Sequence, residues 1–232
     1  AVAPGWLATA AGFLQQRADV ASVCGRRRER HPERSIYNRM CDLEWDTPVG
    51  EARACGGDVM TRMEALQAVG GYRDACIAGE EPELCVRLRA AGWRIWRLPD
   101  EMTLHDAAMT RIGQWWKRSM RAGYTYAEGA HLHGAPPERH KVRESRRAWF
   151  WGLGLPLALL GGAAVAGPWV LWGLLLYPLQ MLRLWTAVPY PPVLRAWWVL
   201  FNVAGKFAEV VGQCKFVALR LSGRRAHLIE YK

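Results

Sequence analysis

Two adjacent carboxylates, Glu80 and Glu81, stand between a glycine and a proline in the segment IAGEEPELCVRLRAAGW. The residues after them predict a helix over 82–91, which a glycine ends. Side-chain oxygens at such a position can accept hydrogen bonds from free backbone N–H groups or can act on a ligand. Four interpretations are therefore open: an N-cap-like acid at Glu81, a glycosidase pair, metal ligands, and a general base for a hydroxyl nucleophile. A glycosidase pair fits poorly, because adjacent residues do not easily flank one bond from opposite sides.

Three nearby features favour the general base. The segment ACGGDVMTR supplies Gly56, Gly57 and Asp58, and a glycine pair lets the backbone approach a ligand closely. The glutamates are reached through a glycine-rich segment, GGYRDACIAGEE, which is typical of loops that carry binding residues. A predicted strand then ends at His105 and is followed by Asp106, either of which could join the glutamates as a metal ligand.

The first half of the chain alternates between predicted strands and helices, which indicates an α/β domain. Helices are predicted over 4–16, 35–45 and 62–69, and strands over 19–26, 53–60 and the segments WRIWRL and EMTLH. The basic segment RRRERHPER after the first strand is expected to be a solvated loop. These strands are too few for a closed α/β sheet, so we expect a front part of the domain to precede this chain.

Residues 111–128 are predicted to form a basic amphipathic helix. One stripe of that helix is polar and the opposite one is apolar; they hold, respectively, Arg111, Gln114, Arg118, Arg121 and Thr125, and Ile112, Trp116, Met120 and Ala127. A helix of this kind is typical of a membrane surface. An ordinary surface helix packed on its own domain is an equally open interpretation.

A run of 35 residues from Ala148 to Leu182 carries no charge. One bilayer crossing takes about 20 residues, so the run predicts a transmembrane hairpin with arms at 148–166 and 169–188. The alternative is a single kinked or re-entrant helix. Arginines before the hairpin and Arg183 after its apolar run predict that both ends lie in the cytoplasm.

The last segment, 189–232, is predicted to be an interfacial amphipathic helix and tail. Its charged and polar residues share one stripe and are costly at a bilayer centre: Arg195, Asn202, Lys206, Glu209, Gln213 and Arg220. The net charge of +10 and the 13 tryptophans indicate either a nucleic-acid or a membrane partner. We expect the membrane, because the charges lie beside apolar anchors and no nucleic-acid-binding motif is found. The six cysteines lack zinc-site spacing and are expected to be reduced, buried thiols.

Four segments, in order, carry a resemblance to a known family: PGWL, CGGDVMTRMEALQAVGGY, IAGEEPELCVRLRAAGW and EMTLHD. Over nearly its whole length the chain resembles the membrane-associated family 2 glycosyltransferases of GT-A fold. That family has an acidic pair, usually Glu-Asp, followed by Glu-Leu and a helix ending in Ala-Gly-Trp or Ala-Gly-Tyr. The resemblance implies that Glu81 is the catalytic base beside Glu80, although Glu replaces the usual Asp at that position. It also implies that Gly56, Gly57 and Asp58 face a sugar and that His105 is a metal ligand.

The resemblance further implies an inverting transfer from a nucleotide-sugar donor to a lipid-linked or cell-envelope glycan at the cytoplasmic face of the inner membrane. A divalent ion, Mg²⁺ or Mn²⁺, is then expected to be bound mainly by an Asp-x-Asp motif upstream of residue 1, so that this chain is an N-terminally truncated fragment without activity alone. Gln114 and Arg118 are implied as substrate contacts, but QWWKR departs from the order found in processive relatives. A non-catalytic membrane scaffold or transporter subunit, or an inactive transferase remnant, is the alternative.

The expected organisation has four parts. A partial GT-A domain covers 1–135, a basic juxtamembrane linker 136–147, the hairpin 148–188, and the interfacial segment 189–232.

Overall fold

The computed structural model describes residues 1–74 and 76–223, which form two compact units. The first unit ends at Arg111 and the second begins at Ile112. The division falls before the helix predicted over 111–128, because that helix packs against the last helix of the chain. Residues 224–232 of the predicted interfacial segment lie outside the described residues.

The first unit is built on a mixed four-stranded sheet, and the α/β class predicted for it is confirmed. Two long strands, β1 (Val20–Glu29) and β4 (Arg94–His105), run parallel at its centre. The short strands β2 (Gly50–Ala52) and β3 (Met60–Thr61) pair antiparallel with β4 and β1, giving the order β2-β4-β1-β3. The single strand predicted over 53–60 is therefore wrong, because most of that stretch is a loop between the two short strands.

Strand β4 joins WRIWRL and EMTLH, which the sequence predicted as two strands. Its irregularity lies opposite Gly25: Cys24 pairs with Arg97 and Arg26 with Glu101, so several residues of β4 bulge past one residue of β1. A Cβ on Gly25 would lie 2.6 Å from the carbonyl oxygen of Asp100. The glycine therefore makes room for the bulge and lets the strand continue through a proline.

The basic segment predicted as a solvated loop begins inside β1. Its first arginines are paired instead of solvated, since Arg26 lies 3.4 Å from Asp42 and Arg28 lies 3.1 Å from Glu101. These carboxylates, on the second helix and on β4, offset the charge that the strand carries.

Four helices complete the first unit: α1 (Trp6–Gln16), α2 (Ile36–Glu44), α3 (Met63–Ala68) and α4 (Glu80–Ala90). Their positions confirm the predicted helices. The core between helices and sheet includes Trp6, Leu14, Leu88 and Ile95, all buried. Of the six free cysteines, four are buried as predicted (Cys24, Cys41, Cys55 and Cys85), whereas Cys214 is exposed on the last helix.

The second unit is helical over its described residues. It comprises α5 (Ile112–His133), α6 (Val142–Trp149), a π-helical segment (Phe150–Gly154), α7 (Leu155–Ala166), a 3₁₀ segment (Pro168–Leu175), α8 (Leu176–Ala187) and α9 (Pro192–Leu221). Helix α6, the π segment and α7 form one continuous helix, Val142–Ala166. Among the described residues it is the one helix long and apolar enough to cross a membrane, by length and composition alone.

The predicted hairpin turn is present at Gly167, which has a positive φ of 105°. Beyond it the chain returns along the first arm, since a Cβ on Gly162 would lie 2.9 Å from Val170 and the Tyr177 hydroxyl donates to the Trp151 carbonyl at 2.6 Å. The second arm differs from the predicted span, because it is divided into a 3₁₀ segment and the 12-residue helix α8.

The face of α5 that packs inward includes part of the apolar stripe that the sequence indicated. Ala127 of that stripe is buried, together with Trp115 and Tyr124, whereas Ile112 of the same stripe is 66% exposed. Trp115 packs on Phe201 of α9 with ring centroids 4.9 Å apart. Helix α5 therefore packs on α9, which the sequence assigned to a separate segment.

Candidate active site

The paired glutamates open α4 instead of preceding it. Gly79, with φ 76°, is the N-cap, and no side chain makes a capping hydrogen bond there. The helix begins two residues earlier than predicted, so Glu81 is its second residue and its interpretation as an N-cap-like acid is wrong. A positive φ suits glycine, and Gly79 turns the chain into the helix.

A third acid of the same turn, Glu83, has a structural role that the sequence did not indicate. Its carboxylate is almost fully buried between Arg87, at 2.8 Å, and Arg73, at 3.2 Å. The first turn of α4 is therefore anchored by Glu83, while the two preceding glutamates are left at its start.

The glycine loop predicted to face a ligand lies against Glu81. A Cβ placed on Gly57 would be 2.8 Å from Oε1 of Glu81, which is closer than real Cβ atoms come to other atoms. Gly57 has an ordinary φ, so the glycine is required by this close approach and not by the backbone. Two segments more than 20 residues apart in sequence thus meet at one carboxylate.

Asp58 is held by the sheet beneath the loop. Arg27 of β1 approaches its carboxylate at 2.6 Å through Nε, and the Thr103 hydroxyl of β4 donates to it at 2.9 Å. The same guanidinium lies against Gly56, where an added Cβ would be 3.0 Å from it. The loop is therefore tied to both central strands, and Asp58 is engaged with protein groups.

His105 lies at the end of β4, on the strand face that also carries Thr103. Its ring meets Trp45 edge-on, with ring centroids 5.2 Å apart, and the Arg27 guanidinium lies 5.5 Å from the centre of the same indole. Trp45 thus links His105 to the arginine that holds Asp58.

The described residues do not form a metal site. No three His, Cys, Asp or Glu side chains among residues 1–74 and 76–223 lie together in a way that could hold an ion. The ion implied by the resemblance has no donor set here, and the role of His105 as a ligand stays a prediction.

Glu80 presents an unusual oxygen. Its Oε2 is buried and has no hydrogen-bond partner in the part of the chain that the structure describes. Buried acceptors are nearly always satisfied, so this orphaned oxygen marks Glu80 as a candidate contact residue of the site.

Tyr72 lies in the field of both glutamates. Burial, together with the charges of Glu81 and Glu80, raises the pKa of its hydroxyl above the ordinary value. Tyr72 is 44% exposed, so its hydroxyl senses both burial and the two carboxylates.

The two remaining predicted contacts, Gln114 and Arg118, lie one turn apart on α5 in the second unit. Both are partly buried and engaged within the protein. They stay predicted substrate contacts.

Sequence reasoning missed Arg27, Thr103 and Trp45. Arg27 was assigned to a basic loop, and nothing local in the sequence relates it to Asp58, which comes 31 residues later. Only the parallel pairing of β1 and β4 places Arg27 opposite Thr103 and so reveals the set.

Comparison of the chain with family models, with curated proteins and with solved structures finds no match in any of the three.

Proposed function

We propose that this protein is an inverting glycosyltransferase of GT-A type, with Glu81 as its general base. Glu81 removes the proton of an acceptor hydroxyl, and that oxygen attacks the anomeric carbon of a nucleotide sugar from the side opposite the leaving diphosphate. The C–O bond to the diphosphate breaks as the new glycosidic bond forms. The observation that carries this proposal is the contact of the Glu81 carboxylate with the side-chain-free face of Gly57.

A general base must lie within hydrogen-bond reach of the proton that it accepts. At Gly57 the backbone carries no Cβ, and Oε1 of Glu81 occupies the space that a side chain would fill. The proposed base thus lies directly beside the loop proposed to bind the sugar, which supports a base over a purely structural acid.

The orphaned oxygen of Glu80 supports a ligand rich in hydroxyl groups. A sugar hydroxyl that donates to Oε2 would satisfy this buried acceptor once the Glu80 side chain turns toward the ligand. We assign Glu80 to acceptor binding and Glu81 to proton transfer.

The ties of Asp58 to Arg27 and Thr103 support a preorganised loop. Reactive groups lose efficiency when they are displaced, and supporting contacts that fix a loop reduce that loss. Because Arg27 binds Asp58 from one central strand and Thr103 binds it from the other, the loop position depends on the rigid sheet.

The proposed setting is the cytoplasmic face of the inner membrane, with a lipid-linked or cell-envelope glycan as acceptor. The helix Val142–Ala166 supports this setting by its length and composition, and the arginines that precede its apolar part agree with a cytoplasmic start.

The deciding experiment is Glu81→Gln in the intact membrane-bound protein, assayed with a panel of nucleotide sugars. The amide keeps the shape of the carboxylate but accepts no proton, so kcat should fall by roughly 10²–10⁴-fold. Glu80→Gln is the matched control: it should raise the KM for acceptor with a much smaller change in kcat. Glu81→Asp, which restores the family's usual residue, should keep most of the rate.

Near-normal transfer by a folded Glu81→Gln protein would remove the base assignment. Retention of anomeric configuration in the product would remove the inverting mechanism. Titration of Mg²⁺ or Mn²⁺ into the same assay tests the predicted requirement for a divalent ion.

A further inference from the structure

The helix Val142–Ala166 changes character along its length. Its first two turns carry three exposed arginines, Arg143, Arg146 and Arg147. Aromatic residues follow at once, with Phe150 exposed, and the remainder to Ala166 carries no charge. This order matches the layers of a bilayer surface: charged headgroups, an aromatic interface, and hydrocarbon.

The three arginines lie on the outer face of α6. Its inner face is occupied, since Ala148 is buried and the Ser145 hydroxyl donates to Gln213 of α9 at 2.5 Å. Spacings of three and four residues place Arg143, Arg146 and Arg147 on one side. None of their side chains has an ion-pair or hydrogen-bond partner among the described residues.

The one acid of this helix does not neutralise them. Glu144 lies 3.6 Å from Lys141, a lysine of the preceding turn. The outer face of α6 is therefore a compact cationic surface, and residues 1–74 and 76–223 supply no counter-ion to its three arginines.

Beyond the arginines the second unit exposes large apolar side chains and buries two polar ones among apolar neighbours. Val165 is 90% exposed and Leu160 is largely exposed, whereas Gln213 is fully buried and Glu209 is 8% exposed on α9. Lys206 meets the buried Glu209 at 2.6 Å, so the inward charge is paired. Water would favour the opposite distribution, and hydrocarbon favours this one.

The length agrees with that environment. From Arg147 to the turn after Ala166 the helix rises by about 29 Å, at 1.5 Å per residue, which is close to the thickness of a bilayer's hydrocarbon core. The arginines then stand at one surface, where anionic headgroups lie.

We propose that Arg143, Arg146 and Arg147 form a binding surface for acidic phospholipids, whose headgroup phosphates dock on the outer face of α6. Guanidinium groups suit this partner because they donate two parallel hydrogen bonds to a phosphate and keep their charge at all relevant pH values. The inference rests on the membrane setting proposed above, but it does not depend on the transfer reaction. The proposed partner is a lipid, because the cationic face of α6 continues directly into an exposed apolar surface of the same helix.

The test compares lipid affinities of the purified full chain by native mass spectrometry in mild detergent, with phosphatidylglycerol and phosphatidylcholine as probes. The protein should bind phosphatidylglycerol preferentially. Arg143→Gln with Arg147→Gln should lower its affinity for phosphatidylglycerol by about 25-fold, from roughly fivefold for each arginine near a lipid surface. The affinity for phosphatidylcholine should not change.

Two matched variants separate local from general effects. Arg30→Gln with Arg39→Gln removes the same charge from exposed positions of the first unit and should leave the preference intact. Arg143→Lys with Arg147→Lys keeps the charge and should retain most of the affinity. Both glutamine pairs change exposed side chains, so equal thermal stability of the variants checks that folding is preserved.

The proposal is overturned if the unmodified chain shows no preference for phosphatidylglycerol, or if the preference survives the Arg143 and Arg147 substitutions. An equal loss in the Arg30 and Arg39 variant would also overturn it, because net charge alone would then explain binding. Failure of the chain to enter bilayers of either lipid would remove both this inference and the membrane setting. Glycosyl transfer, assayed separately, reports on the proposed activity alone.

Discussion

In the first unit, Gly56 and Gly57 face the ends of charged side chains, whereas in the second unit Gly123, Gly152 and Gly212 face the backbone of a neighbouring helix. The guanidinium of Arg27 and the carboxylate of Glu81 occupy the space at the first pair. In the second unit an added Cβ would overlap the carbonyl oxygen of Glu209, Lys206 or Met120. Glycine thus makes room for functional groups in one unit and brings helices into contact in the other.

The two units also differ in what they expose. The first unit encloses an apolar core that includes Leu88 and Ile95, buries some charged groups such as Glu83, and carries exposed ion pairs such as Arg28–Glu101. The second encloses Gln213 and the Lys206–Glu209 pair and exposes leucines and tryptophans. Close helix contacts through small residues, with polar groups between helices, are typical of proteins packed in lipid. The comparison agrees with the membrane setting proposed for the second unit.

The largest effect on stability should come from replacing a glycine at a helix–helix contact of the second unit. Gly123→Ala places a methyl group in the backbone of α9, and neither helix can move away without losing Trp115–Phe201 packing. We expect a loss of about 3 kcal/mol in the free energy of unfolding, measured by reversible unfolding in mixed micelles. Gly113→Ala is the control on the same helix, because nothing lies within 4 Å of its added Cβ. Equal stability of the two variants would remove the packing role.

The next effect concerns ion pairs in the two units. Glu209→Gln leaves Lys206 without its charged partner in a mostly buried position, and we expect a cost of about 2 kcal/mol, slightly below that of a fully buried pair. Glu101→Gln breaks the Arg28 pair, whose side chains are 44% and 61% exposed, and should cost under about 1 kcal/mol. Unfolding of both variants in the same micelles gives the comparison. Similar costs would mean that the second unit does not enclose its charges.

Local signals in the sequence predicted the helices well, but not the contacts between distant segments. Gly92 marks the end of α4 with a φ of 89°, and a glycine at this place is a local signal. The continuity of β4 depends instead on Gly25 in another strand, and the inner face of α5 depends on α9. Trp115 and Trp116 are adjacent, so periodicity alone could not decide which of them packs inward.

The candidate site was likewise predictable only in part from the sequence. The resemblance assigned sugar-facing and base roles to the glycine loop and Glu81; these roles stay predictions, and the structure has the two in contact at Gly57. Arg27 and Thr103 were not found, because their link to Asp58 arises only when β1 and β4 pair.

A smaller effect should follow from filling the gap at Gly57. Gly57→Ala requires a displacement of several tenths of an ångström at Oε1 of Glu81, and misplaced reactive groups lose rate steeply. We expect roughly a tenfold fall in kcat for glycosyl transfer with unchanged thermal stability, which contrasts with the stability loss of Gly123→Ala. Gly12→Ala, on α1 with nothing within 4 Å of its added Cβ, is the control. A loss of stability without loss of rate would assign Gly57 to packing, as in the second unit.

The smallest expected effect is a shift in the pKa of Tyr72, which reports on the charge of Glu81 without any substrate. Burial and the negative charge of Glu81 both disfavour a tyrosinate at Tyr72, so the pKa of this tyrosine is raised. Glu81→Gln removes the charge but leaves the burial, and the pKa should therefore move down toward its ordinary value without reaching it. Titration of ¹³C-labelled tyrosine by NMR measures this, with Tyr72→Phe to assign the resonance. Glu101→Gln removes an exposed charge from the same unit and should leave the Tyr72 pKa unchanged. If Glu81→Gln also leaves the Tyr72 pKa unchanged, the Glu81 carboxylate does not lie near Tyr72. The base assignment then loses its geometric support.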